Sequence, residues 1–340
     1  MKIAFFDSKP YDISSFNNYE TAELSFKFYE TKLNIDTVSL AKGYDAICIF
    51  VNDICNKEVI DKLVEYNIKL ILLRCAGYNN VDIKYCYKKI HVMHVPAYSP
   101  YAVSEHAMAL LLTSVRRIHK AYNRVREFNF SLNDLTGFDL HNKTVGVIGT
   151  GKIGKCFIDI CNGFKMNILA YDPYPNGPYN YTDLNTLLKE SDIISLHCPL
   201  NDSTFHLIND DSISLMKKGA IIINTSRGGL IDSEALLKGI KSRKIGAACL
   251  DVYEEEADIF YHDNSNHILD DDTLARLISM PNVIITSHQA YLTEEALDNI
   301  AQSTINNIMS FVQDKNNENE LCYQCSNINN CRKNRSQKCF

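Results

Sequence analysis

The run Thr144-Val145-Gly146-Val147-Ile148-Gly149-Thr150-Gly151-Lys152-Ile153-Gly154 constrains this chain more than any other stretch. An apolar β-branched segment passes directly into G-x-G-x-x-G, and residues 152–164 then carry a helical pattern. Strand, glycine turn and helix in that order open a βαβ unit of a parallel sheet. Each glycine has a task there. Gly149 allows the tight turn, Gly151 lets a pyrophosphate approach the backbone, and Gly154 permits close helix–strand packing. The helix N-terminus then offers free N–H groups and a partial positive charge to an anion. Asp172 follows eighteen residues after Gly154, at the end of the next apolar run. A carboxylate at that place accepts from the ribose hydroxyls of a dinucleotide and repels the extra phosphate of NADP, so the pattern implies NAD.

The rest of the chain repeats the same alternation. Short apolar runs at 144–148, 167–171, 192–197, 220–224, 247–251 and 282–286 alternate with helical segments near 152–164, 182–189, 209–217, 232–241 and 272–279. Such strands predict a parallel sheet covered on both faces. Upstream, strands at 2–6, 46–51, 69–74 and 91–95 and a helix at 57–66 predict a second α/β unit. One long amphipathic helix is expected from 102 to 128, entered just after Pro100, and a last helix at about 293–312. The expected class is α/β, with two Rossmann-like doubly wound parallel-sheet domains. The final helix is free to return to the first unit. Residues 1–100 plus about 299–340 are therefore expected as a discontinuous substrate domain and 101–298 as the NAD domain.

Composition narrows the class of partner. With 46% hydrophobic and 22% charged residues, 340 residues suffice for two cores and do not describe a disordered chain. Lys and Arg total 35 against 41 Asp and Glu, a net charge of −6, which gives no basic footprint for nucleic acid. The first apolar run is too short for a signal-peptide core, and the longest, 107–115, falls short of the ~20 residues of a membrane span. A cytoplasmic protein with no membrane partner is expected, its cysteines reduced.

Ligands of a doubly wound sheet bind beyond the carboxyl ends of its strands. Asn224-Thr225-Ser226-Arg227-Gly228-Gly229 follows the fourth strand, Asp251-Val252-Tyr253-Glu254-Glu255-Glu256 the fifth, and Ser287-His288-Gln289-Ala290-Tyr291 the sixth. Each group has a plain reading as a surface cation, a solvated acidic loop or a strand-end histidine. Beside a bound dinucleotide they make a reaction centre for hydride transfer to a 2-oxo acid. A guanidinium such as Arg227 grips a carboxylate bidentately. An imidazole such as His288 exchanges a proton near neutral pH. A neighbouring carboxylate would hold that imidazole in place.

These residues resemble the D-isomer-specific 2-hydroxyacid dehydrogenases, nearest the bacterial fermentative D-lactate branch. The likeness is carried by residues 147–154, His197-Cys198-Pro199-Leu200, Asn224–Gly228, Asp251–Glu254 and His288-Gln289-Ala290. It extends to residues 73–82, 95–100 and 135–138, and covers the chain to about residue 320. The resemblance implies an active site in the cleft between the two domains. It implies His288 as proton donor, Glu256 as its carboxylate partner and Arg227 as the substrate anchor; spacing alone does not choose among the three consecutive acids. It places Ala76, Gly77, Tyr98 and Tyr291 at the substrate. Gly149, Gly151, Lys152, Ile153, Gly154, Asp172, Cys198, Pro199, Thr204, Thr225, Ser226 and Asp251 fall at the cofactor. It also implies self-association, as a dimer or tetramer, through the 102–128 helix.

The expected reaction is the reversible reduction of pyruvate to D-lactate by NADH, in fermentative NAD regeneration. Two rivals stay open: a dehydrogenase for a bulkier 2-oxo acid such as phenylpyruvate, and an NAD-sensing corepressor-like binding module. Of twelve cysteines, eight from Cys48 to Cys249 are scattered singly and read as packing. Cys322, Cys325, Cys331 and Cys339 crowd a polar tail, 321–340. They read as incidental thiols or as a four-thiol zinc or iron–sulfur site, although the gaps match no established ligand spacing.

Overall fold

Two all-parallel sheets organise the chain in a computed structural model that describes residues 1–256 and 259–323. The chain divides into two units, Met1–Ser99 with Leu292–Phe340, and Pro100–Tyr291. The first unit carries β1 (Lys2–Phe5), β2 (Ser25–Phe28), β3 (Ala46–Ile49), β4 (Leu70–Leu73) and β5 (His91–His94). Its helices are α1 (Pro10–Phe16), α2 (Lys57–Glu65) and α3 (Ile83–Cys86). The strand order is β2-β1-β3-β4-β5. Strand β2 has no counterpart in the sequence reading, because Ser25-Phe26-Lys27-Phe28 is a half-covered edge strand without a continuous apolar run.

The second unit begins with two helices, α4 (Pro100–Val115) and α5 (Ile118–Arg126), where one was expected. Arg117 between them adopts φ 56°, which ends the α-helical path. No Gly or Pro marks the break. Gly137 packs against the last turn of α4, so closely that a Cβ there would lie 2.0 Å from the Val115 carbonyl oxygen.

Then follow β6 (Thr144–Ile148), α6 (Lys152–Gly163), β7 (Asn167–Tyr171), α7 (Leu184–Glu190), β8 (Ile193–Leu196) and α8 (Asp210–Leu215). The unit closes with β9 (Ala220–Asn224), α9 (Ser233–Lys241), β10 (Ile245–Leu250), α10 (Asp272–Ser279) and β11 (Val283–Ile285). The order β11-β10-β9-β8-β6-β7 puts the topological switch between β6 and β8. Alternate side chains enter two cores: Ile193, Ile221, Ile223 and Cys249 pack with α4 and α6. Ile194, Leu196, Ile222 and Leu250 pack with the helices of the opposite face.

The last helix, α11 (Glu294–Val312), belongs to the first unit, where Ala301 and Ile308 share a core with Ile3, Phe5 and Met93. Among the described residues no helix is long and apolar enough to cross a membrane. Seven of the eight scattered cysteines are buried and Cys156 is partly so. Burial pushes the thiols of Cys48, Cys86, Cys161 and Cys249 up to about 12, as packing residues require. Cys325, Cys331 and Cys339 lie outside the described residues, within which no group of metal-ligating side chains is assembled.

Candidate active site

The two loops at the switch point lie against each other. A Cβ on Gly149, at φ 93°, would lie 2.6 Å from the His197 carbonyl that follows β8. One on Gly154 would lie 2.0 Å from the Gly149 oxygen, so both positions require glycine for close approach. Gly151 is different: a Cβ there would meet nothing within 4 Å. It is the N-cap of α6 and has no side chain to satisfy the first N–H groups. By contrast α2, α3, α7, α8, α9, α10 and α11 are each capped by an Asn, Asp or Thr that accepts a backbone N–H. Exposed Lys152 and partly buried Ile153 start this uncapped helix.

Asp172, just past β7, is held by the same loop. Its Oδ2 accepts from Thr150 N at 2.8 Å and Thr150 Oγ1 at 3.0 Å, and its Oδ1 from Tyr174 N at 2.9 Å. Burial pushes the carboxyl up, but those donors and Lys155 outweigh it and leave it below the usual carboxylate range. It is an anion at neutral pH. Ser226 Oγ donates to the Cys198 carbonyl at 2.7 Å and Thr204 Oγ1 to the Pro199 carbonyl at 2.7 Å, tying these expected cofactor positions together. The Thr225 hydroxyl is buried without a hydrogen-bond partner among the described residues. An uncapped helix end, open space over Gly151 and that unpaired hydroxyl fit a bound dinucleotide.

The catalytic candidates stand at the ends of β9, β10 and β11. Arg227 is partly buried, its Nη1 donating to the Ser226 carbonyl at 2.7 Å. Gly228 next to it lets the following loop pass: a Cβ there would lie 2.0 Å from Tyr253 O. In that loop Glu256 Oε2 accepts from Tyr253 N at 2.8 Å, and Glu256 Oε1 lies 2.6 Å from His288 Nδ1. The two side chains are 19% and 16% exposed, enough for a substrate to reach His288 and little enough to keep the pair from bulk water. His288 Nε2 has no partner among the described residues. The carboxylate thus fixes the ring with Nδ1 toward Glu256 and Nε2 free to exchange a proton.

His288 itself adopts φ 54°, a conformation costing about 1–3 kcal/mol in a non-glycine residue. Its surroundings hold it there. His288 N donates to the Asp251 carbonyl at 2.7 Å, and Tyr261 Oη donates to the His288 carbonyl at 3.0 Å. Asp251, expected among the cofactor contacts, is fully buried with both oxygens engaged by the chain. Oδ1 accepts from Thr286 Oγ1 at 2.5 Å and Gln289 N at 2.9 Å, and Oδ2 from Ala290 N at 2.8 Å. Burial would raise this carboxyl; His106, Thr286, Ala290 and Gln289 hold it below its ordinary value. His106 and Thr286, 3.0 Å apart, were not singled out from the sequence. Thr286 could have been, as it lies two residues from His288 at a strand end, whereas His106 reads as one polar ring on an apolar helix.

Glu254, two residues before Glu256, pairs with a different histidine, His206, at 2.6 Å. His206 N also donates to the Gly229 carbonyl at 2.9 Å, so one residue ties the Arg227 loop to the Glu256 loop. Tyr291 is buried at the end of this unit. In the other unit Ala76 and Gly77 follow β4, partly buried, with the Ala76 carbonyl 3.0 Å from His94 Nδ1 and the Gly77 carbonyl accepting from Cys75 Sγ at 3.2 Å. The Tyr98 carbonyl accepts from Asn299 Nδ2 at 2.7 Å.

Residues 108–290 match the family described as D-isomer specific 2-hydroxyacid dehydrogenase, NAD binding domain. D-lactate dehydrogenase of Escherichia coli is 45% identical over 328 residues, 94% of this chain and 100% of that protein. Its apo-structure superposes with a TM-score of 0.86 at 44% identity, covering 94% of this chain and 100% of the other. D-lactate dehydrogenase from Aquifex aeolicus, solved with NAD and lactic acid, gives a TM-score of 0.82 at 35% identity and covers 92% and 95%.

Proposed function

The chain belongs to the D-isomer specific 2-hydroxyacid dehydrogenases, NAD-dependent oxidoreductases, and on that footing we propose that its reaction is the reduction of pyruvate to D-lactate. The observation that carries the reading is the His288 Nδ1–Glu256 contact of 2.6 Å, at the same end of the sheet as Arg227 and the glycine loop. The relatives named as D-lactate dehydrogenases support the choice of substrate.

In this reading the Arg227 guanidinium grips the substrate carboxylate and polarises its carbonyl. The bound cofactor supplies the hydride. His288 delivers a proton from Nε2 to the oxygen as it gains charge, and Glu256 stabilises the imidazolium that stands ready to do so. Ala76, Gly77, Tyr98 and Tyr291 are assigned to the substrate. Fermentative regeneration of NAD in the cytoplasm is the proposed role.

Self-association through residues 102–128 is also proposed. Ile118, Tyr122, Val125 and Phe128 are exposed there at 52%, 60%, 52% and 84%, an apolar strip a second copy would cover. The reaction is tested by comparing kcat/KM for pyruvate and phenylpyruvate with NADH. A clear preference for pyruvate is expected. A preference for phenylpyruvate assigns a bulkier substrate, and no turnover of either overturns the enzymatic reading.

A further inference from the structure

The opposite edge of the second sheet carries a cluster of charge that the reaction does not use. Lys218 precedes β9, and Arg243 precedes β10. Lys241 ends α9, and Arg117 and Lys120 stand at the α4–α5 break. These five line one surface cavity of about 1140 Å³, with Asp134 as its only carboxylate among the described residues. That is ample for a small ligand.

None of the five cations is engaged in an ion pair or a side-chain hydrogen bond among the described residues. Their neighbours are. Lys217, next to Lys218, meets Asp192 at 2.9 Å, and Lys238, one turn before Lys241, meets Asp210 at 2.9 Å. In a chain of net charge −6, carboxylates are not scarce. Lys217 and Lys238 beside the cavity have found them, and the five inside it have not. Half-buried Lys120 registers the cost: burial, with Arg117 and Arg124 adding their charges, holds its ammonium below the ordinary value. Like charges gathered around a concavity focus field there, and an anion relieves their repulsion.

We propose that this cavity binds a small oxyanion of three or more negative charges, a polyphosphate or a polycarboxylate. A monocarboxylate such as the substrate would neutralise too little of the cluster. The site lies at the amino ends of strands whose carboxyl ends carry Arg227, Glu256 and His288, roughly 15–20 Å away at the rise of a five- or six-residue strand. Its occupant therefore does not compete with the dinucleotide.

The test is calorimetric titration of the full chain, saturated with NADH, with tripolyphosphate and with citrate at fixed ionic strength, acetate serving as the monovalent control. The paired variant is Lys218→Glu with Arg243→Glu, both exposed and both off the α4–α5 arm. Saturable binding of either polyanion is expected, weakened about tenfold or more in the variant, as reversal of two close charges implies. NADH affinity and kcat should be unchanged. Equal binding by variant and wild type, displacement by NADH, or binding no tighter than acetate overturns the site. A changed oligomeric state with unchanged anion affinity also overturns it, and assigns the cations to a contact between copies. Tripolyphosphate and citrate distinguish phosphate from carboxylate ligands.

Discussion

The main-chain N–H of His288 donates to the carbonyl of Asp251 at 2.7 Å, while the Asp251 carboxylate accepts from the two residues that follow, Gln289 and Ala290. One buried acid thus shapes the turn that presents the imidazole, and a second, Glu256, orients its ring. Replacing His288 by Asn should leave this turn and the dinucleotide site intact while removing the proposed proton donor. The expected loss is about 10²–10⁴ in kcat. NADH affinity, read by fluorescence titration, should hold within twofold of wild type, roughly the scatter of such small effects. Near-wild-type turnover would falsify the assignment of His288.

Asp172 predicts cofactor choice. Held ionised by Thr150 and Tyr174, it opposes a 2′-phosphate and rewards free ribose hydroxyls. Asp172→Ala should lower kcat/KM with NADH and narrow the preference over NADPH by an order of magnitude or so, the worth of about 1.4 kcal/mol. An unchanged NADH-to-NADPH ratio would remove Asp172 from that role.

The ring of His197 gives the second unit an acid-sensitive point. Burial lowers it from 6.5 to about 3, while Ser195 Oγ lies 2.8 Å from Nε2. Below pH 6.5 the unfolded chain takes up a proton that the folded chain refuses. Stability therefore falls as pH drops from 6.5 toward 3, by at most about 1.4 kcal/mol per pH unit from this group. His197→Asn should flatten the urea midpoint's dependence on pH in that window. A slope equal to wild type would show that the proton goes elsewhere.

Gly228 is a steric hinge pin. An added methyl would lie 2.0 Å from Tyr253 O and 2.5 Å from Glu254 N, all main chain, so the Arg227 and Glu256 loops must part. Gly228→Ala should keep its folded far-UV spectrum and lose about 10² in kcat/KM, the usual consequence of misplacing reacting groups by ~1 Å. Activity within a factor of a few would mean that the loops yield without moving the side chains they carry.

The sheets were legible because burial on both faces writes a strand as an unbroken apolar run, as in Ala220–Asn224 and Ile193–Leu196. Where one face stays partly open, as in Ser25–Phe28, that signal disappears. The division of the long helix falls at Arg117, with no Gly or Pro beside it, so no local pattern records it. The same holds within the site. Glu254, Glu255 and Glu256 are equivalent as sequence, yet Glu254 reaches His206, Glu255 is exposed and Glu256 reaches His288. The path of the loop decides, and only family resemblance stood in for it.

Because α11 closes the core around Ile3 and Phe5, the first unit is stitched from segments that flank the whole second unit. During synthesis, β1 and β3 emerge long before Ala301 and Ile308 exist to cover them. The Pro100–Tyr291 segment, by contrast, is complete as soon as Tyr291 is made. Vectorial synthesis therefore favours the second unit folding first. Its collapse then turns a long flexible loop into a folded insert, reducing the entropy of bringing α11 back to β1. The first unit would be the last to mature and the first to suffer from truncation within α11, although that helix carries none of Arg227, Glu256 and His288.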